Sequence, residues 1–209
     1  LIAVYAALIA FCTDSFMYAF RKPFTAGTCD GESYAGINLK ILFVIAQLIG
    51  YTLSKFLGIR IVSEMKHHNR AIGIIALISF SAVGLLVLPL VPAPFNILCL
   101  FFNGIPLGLV WGLVFSYLEG RRATEFMGSV LAVSFVFSSG FVKSVGEWLM
   151  KDMHVTEYWM PFITAMIFFL PMILAVSLLE QTPPPNKDDL EHRSPRLPMT
   201  AVERREFVL

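Results

Sequence analysis

Six long apolar runs constrain this chain more than any other feature. They cover residues 1–20, 37–58, 71–91, 95–118, 126–149 and 159–179. Each is about 20 residues long, the length at which a helix crosses the hydrocarbon core of a bilayer. Only 15% of the 209 residues are charged, whereas a soluble domain carries about 25%. We therefore predict an all-α membrane protein with six transmembrane helices, because the runs lack the short alternation of membrane strands.

The basic residues of the loops predict the orientation in the membrane. Positive charge concentrates in cytoplasmic loops, and the third loop has none. The second and fourth loops carry Arg60, Lys66, Arg70, Arg121 and Arg122. We therefore expect both ends of the chain in the cytoplasm. Arg21 and Lys22 of the first loop would then face the opposite side, an exception that indicates a function for them.

The composition changes after Glu180. Residues 1–180 hold all six apolar runs, whereas residues 181–209 are rich in proline and charge. This segment predicts a cytoplasmic linker. Thr200 and Glu203 are spaced as a capping box that opens another helix. We expect the chain to be one half of a longer protein, with further spans after the linker.

Polar side chains are distributed unevenly among the six spans. Spans three and six have no ionisable residue in their apolar cores. Spans one, two and five contain the ionisable residues Asp14, Lys40, Lys55, Lys143 and Glu147, and span four contains the polar Asn103. Ionisable residues inside a membrane are costly and point to function. The pattern favours a three-plus-three repeat in which the other four helices line a cavity. Chance symmetry among six helices is the alternative.

The first span carries the most informative polar face. Asp14, Tyr18 and Arg21 are spaced so that one helix face presents all three. This predicts an anion site in which Arg21 binds the anion and Asp14 balances its charge or exchanges a proton. A structural ion pair, with Arg21 and Lys22 reaching the interface, is the alternative. The full candidate set for substrate binding is Arg21, Tyr18, Lys22, Asp14, Lys40, Gln47, Asn103 and Lys143.

Lys143 has two interpretations. It shares a helix face with Glu147, one turn further along. It could complete a basic cavity with Arg21, or it could simply form an ion pair with Glu147.

A stripe of small residues marks the fourth span. Gly104, Gly108 and Gly112 recur every four residues, with Pro106 between the first two. Small residues let membrane helices approach closely, so close packing is the first interpretation. Proline in a helix also favours a kink, which leaves a hinge role open for the stripe and for Gly58 at the end of span two.

Several function classes lack their signatures. The chain has no pattern that pairs a nucleophile with a base or that binds a phosphate loop. Its three cysteines are scattered, which argues against a metal site. A net charge of +1 gives no reason to expect nucleic acid as a partner. We predict no cofactor and no enzymatic activity.

Two motifs resemble a known family. The spacing Tyr-x-x-Arg-Lys-x-Phe is present in Tyr18, Arg21, Lys22 and Phe24, and a Gly-Tyr-x-x-Ser-Lys-Phe stretch runs from Gly50 to Phe56. Both resemble the organophosphate:phosphate antiporter branch of the major facilitator superfamily. The loop after Gly58 departs from the superfamily pattern, since Val62 stands where an aspartate is expected. The resemblance is to an uncharacterised bacterial membrane family within the superfamily.

The resemblance implies the N-terminal half of a twelve-helix transporter in a bacterial inner membrane, with Arg21 contacting the substrate phosphate. We therefore expect a secondary transporter that moves a small anionic solute, such as a phosphate ester or carboxylate, by alternating access. An exchanged anion or protons would drive it. A membrane sensor or assembly partner that binds a ligand without moving it is one alternative, and a membrane-embedded enzyme is another.

Overall fold

Six membrane-length helices dominate the computed structural model, which describes residues 2–29, 31–65, 67–121 and 123–183. They are α1 (Ile2–Met17), α2 (Leu39–Glu64), α3 (His67–Val87), α4 (Asn96–Leu118), α5 (Thr124–Lys151) and α6 (Met160–Glu180). All six contain a stretch long and apolar enough to cross a membrane. The prediction of an all-α, multi-pass membrane protein is confirmed at this level. Most of the predicted linker and the helix expected at Thr200 lie outside the described residues.

The first span ends at Phe20, as predicted, but its last turn is not α-helical. Its α-helical part ends at Met17 and is followed by a 3-10 turn, Tyr18–Phe20, and then by a second one, Pro23–Ala26. Proline lacks the N–H that would continue an α-helix, and its ring clashes with the carbonyl group one turn earlier. Pro23 therefore explains why the first span ends in tightened turns, and Arg21 lies within this break.

A short hairpin that the sequence did not predict precedes α2. Its strands β1 (Ser33–Tyr34) and β2 (Ile37–Asn38) are antiparallel. The two residues between them, Ala35 and Gly36, both have positive φ angles, as the mirror-image turns of two-residue hairpins require. The Asn38 side chain then accepts a hydrogen bond from the Lys40 N–H at 2.8 Å, which caps the first turn of α2.

The closest helix packing joins α2 to α4 through glycines. A Cβ atom on Gly104 would lie 2.3 Å from the Gln47 carbonyl oxygen, and one on Gly108 would lie 2.5 Å from the Tyr51 carbonyl oxygen. From the other side, a Cβ on Gly50 would lie 2.2 Å from a backbone oxygen of α4. The backbones therefore meet with no room for a side chain. This geometry supports the packing interpretation of the stripe.

The remaining members of the stripe are less crowded. A Cβ on Gly112 would lie 3.3 Å from a methyl group of Val62, and one on Gly58 would lie 2.8 Å from a methyl group of Leu109. Pro106 is buried inside α4 between Gly104 and Gly108. The hinge role of these residues stays a prediction.

The loop before α6 is tied to the loop after α1 by one carboxylate. Glu157 accepts hydrogen bonds from the backbone N–H groups of Thr28 and Cys29, at 3.0 and 2.8 Å, and from the Thr28 hydroxyl at 3.2 Å. The adjacent Tyr158 hydroxyl donates to the carboxylate of Glu32. We call this set of contacts the loop clamp, and it fixes the chain between the first and second spans.

We predict that Gly104→Ala destabilises the protein by about 1–3 kcal/mol, the usual cost of overpacking. Alanine favours a helix by about 1 kcal/mol over glycine, so the clash with Gln47 must outweigh that gain. Thermal unfolding in detergent measures the difference. The matched control is Gly140→Ala in α5, where a Cβ would meet no heavy atom within 4 Å. Equal stability of the two variants would contradict the packing argument.

The loop clamp predicts a pH-dependent stability. Burial alone would raise the pKa of Glu157, but the hydrogen bonds from Cys29 and Thr28 outweigh it and hold the pKa below the ordinary 4.5. The carboxylate therefore stabilises the fold above the pKa of the unfolded chain, and this stabilisation is lost as pH falls through the folded-state pKa. We expect Glu157→Gln to unfold at a lower temperature than the wild type at neutral pH.

That difference should shrink below about pH 4. Asp152→Asn serves as the control, because Asp152 is an exposed acidic residue of the same loop. If the two variants show the same pH profile, the clamp does not act through Glu157.

Candidate functional site

Two cations share one aromatic ring at the break in α1. The guanidinium carbon of Arg21 lies 4.0 Å from the ring centroid of Tyr51, and Nζ of Lys55 lies 4.6 Å from the same centroid. Arg21 also lies 5.6 Å from the Tyr18 ring. Aromatic faces attract cations electrostatically at these distances. We call Arg21, Lys55, Tyr18, Tyr51 and Trp111 the cationic cluster.

Trp111 of α4 completes this cluster. Nζ of Lys55 lies 5.5 Å from its ring, which stacks on Phe115 at 5.3 Å. Phe135 of α5 contacts both Trp111 and Tyr18, with centroids 6.3 and 6.0 Å apart. The indole Nε1 of Trp111 is buried and has no hydrogen-bond partner in the described part of the chain. Aromatic residues from the first 3-10 turn, α2, α4 and α5 thus lie around the charges of Arg21 and Lys55 and the unpaired indole N–H of Trp111.

Two buried amides fix the backbone at Arg21. Nε2 of Gln47 donates to the Arg21 carbonyl at 3.0 Å and to Oδ1 of Asn103 at 2.8 Å. Nδ2 of Asn103 donates to the Phe20 carbonyl at 3.2 Å and to the Ser81 hydroxyl at 2.6 Å. A helix end inside a membrane needs such partners, because each unpaired carbonyl there is costly. This geometry supports a positioning role for Gln47 and Asn103.

Asp14 is buried between α1 and α5, away from the open surface. The residue is 0% exposed, and its Oδ2 accepts a hydrogen bond from Ser134 at 2.6 Å. Its other oxygen, Oδ1, has no partner among the described residues. The next residue of α1, Ser15, accepts a hydrogen bond from the Ser138 hydroxyl of α5 at 2.7 Å. The alternative interpretation, a structural ion pair between Asp14 and Arg21, is not seen among the described residues, where Asp14 is hydrogen-bonded to Ser134.

The other predicted lysines lie in different surroundings. Lys22 is half-buried beside Arg21, and burial, followed by the charge of Arg21, lowers its pKa. Lys40 lies in the first turn of α2 near Cys29, whose pKa is raised to about 11 by burial and by nearby carboxylates. Lys143 is exposed and 4.0 Å from Glu147, which also pairs with Lys151 at 3.5 Å. For Lys143, the geometry favours the ion-pair alternative.

Three members of the cationic cluster were not among the candidate residues predicted from sequence: Tyr51, Lys55 and Trp111. Lys55 carried a usable signal, because it is an ionisable residue inside a span and follows Tyr51 by one helical turn. Trp111 carried none, because an aromatic residue in an apolar helix is ordinarily a packing residue. Within the described residues, no group of three or more potential metal ligands is present.

The comparisons with known proteins locate the chain within one family. No curated protein and no solved structure matches it. A family model described as a family of unknown function, DUF5690, matches residues 23–209. The match includes Tyr51, Lys55 and Trp111, and it begins directly after Arg21 and Lys22. Because the match covers most of the chain, this protein belongs to the DUF5690 family.

Proposed function

We propose that this protein is a secondary active transporter that moves a small anionic solute, such as a phosphate ester or a carboxylate, by alternating access. The observation that carries the proposal is the sharing of the Tyr51 ring by Arg21 and Lys55. In this proposal the six helices form one half of a major facilitator fold, with a three-plus-three repeat, in a bacterial inner membrane with both chain ends cytoplasmic.

The charge balance of the cationic cluster favours an anionic ligand. Half-buried Arg21 and exposed Lys55 are like charges held around one ring, and they repel each other. No carboxylate of the described residues lies within ion-pairing distance of Arg21 or Lys55. An anion bound between them would remove this repulsion.

The chemistry of the individual groups favours an oxyanion. A guanidinium presents parallel N–H donors that match two oxygens of a phosphate or carboxylate. Lys55 adds a mobile point charge, and the buried Nε1 of Trp111 is a further donor without a partner. The aromatic rings offer an apolar surface that suits an uncharged substituent on the ligand. A phosphate ester or carboxylate meets these conditions.

The position of Arg21 at a helix break favours transport over static binding. The α-helix ends at Met17, and half-buried Arg21 lies between the two short 3-10 turns that follow. Interrupted helices in transporters place irregular backbone where it lines the substrate path. Gln47 and Asn103 hold that backbone, so movement of α2 against α4 would move the guanidinium. Either an exchanged anion or protons would drive the cycle.

We predict that Arg21→Ala and Lys55→Gln each weaken the binding of inorganic phosphate and sulfate by about 10- to 100-fold. This is the effect expected when a charge-assisted hydrogen bond of about 1.5–3 kcal/mol is lost. Calorimetric titration of the purified protein in detergent measures it. The control is Lys151→Gln, the same chemical change at an exposed lysine of α5, and it should bind normally.

Transport is tested separately in proteoliposomes with a labelled phosphate ester and a labelled carboxylate. Uptake by the wild type that Arg21→Ala abolishes would support the proposal. Binding without uptake would favour a sensor or assembly partner instead. No binding by the wild type, or full activity of Arg21→Ala, would overturn the proposal.

A further inference from the structure

We propose that Asp14 and Ser134 form a proton-binding site at the interface of α1 and α5, coupled to anion binding at Arg21. The coupling rests on the function proposed above, whereas the proton site itself does not. The geometry that carries the inference is a fully buried carboxyl with one hydrogen-bonded oxygen and one oxygen without a partner.

The hydroxyl of Ser134 can serve both protonation states of Asp14. Its Oγ lies 2.6 Å from Oδ2 of Asp14 and 2.6 Å from the carbonyl oxygen of Leu131. A hydroxyl has one hydrogen to donate, so it can satisfy only one of these acceptors at a time. When Asp14 is ionised, the hydroxyl donates to the carboxylate.

When Asp14 takes up a proton on Oδ2, the direction of this hydrogen bond reverses. The new O–H donates to Oγ of Ser134, and the serine hydrogen turns to the Leu131 carbonyl. The protein gains one proton from water, and both Oδ2 and the serine hydroxyl keep a hydrogen-bond partner without any heavy atom moving. Because the Asp14–Ser134 hydrogen bond persists in both states, the site can bind and release a proton at little structural cost.

The groups that face Asp14 connect it to the cationic cluster. Arg21 and the titratable Tyr18, which follow Asp14 in the chain, interact with it electrostatically. On α5 the group that faces Asp14 is Ser134, and the charged residues Glu125 and Lys143 are each more than two helical turns from Ser134. The helix α4 has no charged residue, and α6 has only Glu180, which binds Tyr117 at its far end. Arg21 is thus the cation through which another ligand can act on Asp14.

This arrangement links the two ligands thermodynamically. The charge of Arg21 stabilises an ionised Asp14 by electrostatic attraction. An anion that neutralises Arg21 removes this attraction and so favours proton uptake by Asp14. By reciprocity, a proton on Asp14 strengthens anion binding to the same extent. The anion and a proton would therefore bind, and move, together.

The proton site is tested first without any anion. In infrared spectra of the purified protein recorded between about pH 5 and 9, a protonated carboxyl band should appear and disappear in the wild type and be missing from Asp14→Asn. Ser134→Ala should shift this titration, because the carboxylate loses its donor, whereas Ser138→Ala should not. If Asp14→Asn fails to fold, isotopic labelling of aspartate carboxyls in the wild type assigns the band. A wild-type spectrum with no titrating aspartate would overturn the proton site.

The coupling is tested with sulfate, which carries no proton of its own near neutrality. Adding sulfate to wild-type protein in weak buffer should cause uptake of up to about one proton per bound anion. Asp14→Asn should bind sulfate without this uptake. Sulfate binding with no proton uptake in the wild type would overturn the coupling. Failure of the wild type to bind sulfate or phosphate would count against the anion site, and the infrared result would still decide the proton site.

Discussion

The satisfaction of backbone carbonyls at the break in α1 is the constraint on which the rest of this structure depends. Pro23 prevents the first span from continuing as an α-helix, and the chain tightens into 3-10 turns while still among apolar helices. The carbonyls of Phe20 and Arg21 then need donors that the helix cannot supply. Gln47 and Asn103 supply them, and they also bond to each other. The direction in which Arg21 leaves the backbone follows from these bonds.

The glycines of α2 and α4 make those hydrogen bonds possible. Gln47 and Asn103 are short amides, so they can reach the same backbone segment only if their helices nearly touch. Gly50, Gly104 and Gly108 permit that approach, because any Cβ there would overlap the backbone or side chain opposite. The same contact sets Tyr51 and Lys55 of α2 beside Trp111 of α4. Packing of the smallest residues therefore determines where the largest and most charged ones lie.

The charged groups near the end of α1 lie in two different environments. Half-buried Arg21 and exposed Lys55 contact aromatic rings on the side of α2 and α4. Asp14 lies toward α5, where a serine is its partner. Lys143, by contrast, is paired with Glu147 on an exposed face. The charge of Lys143 is balanced on its own helix, whereas Arg21 and Lys55 contact aromatic rings and Asp14 contacts a hydroxyl group.

Some features of the site followed from sequence, and others did not. Asp14 and Arg21 could be predicted as candidate site residues, because a charged side chain in or beside an apolar run is costly and therefore rare. The glycine stripe was visible because its four-residue period matches a helix face. Trp111 was not visible, since its role depends on Lys55, a residue 56 positions earlier in the chain. Ser134 was equally hidden, because a serine in a membrane helix ordinarily bonds to its own backbone.

The sequence by itself determined that this chain forms six membrane helices, because the length and hydropathy of each apolar run are local properties. It also determined that the first span contains a costly ionisable residue, Asp14, and that α4 carries a stripe of glycines on one face. Only the tertiary structure decided which polar groups are in contact. Asp14 bonds to Ser134, and Arg21 and Lys55 contact the same Tyr51 ring. Gln47 and Asn103 donate hydrogen bonds to the backbone carbonyls at the end of the first span. The physical reason is that hydrogen bonds and cation–π contacts act over a few ångströms, and the packing of helices far apart in the chain sets those distances.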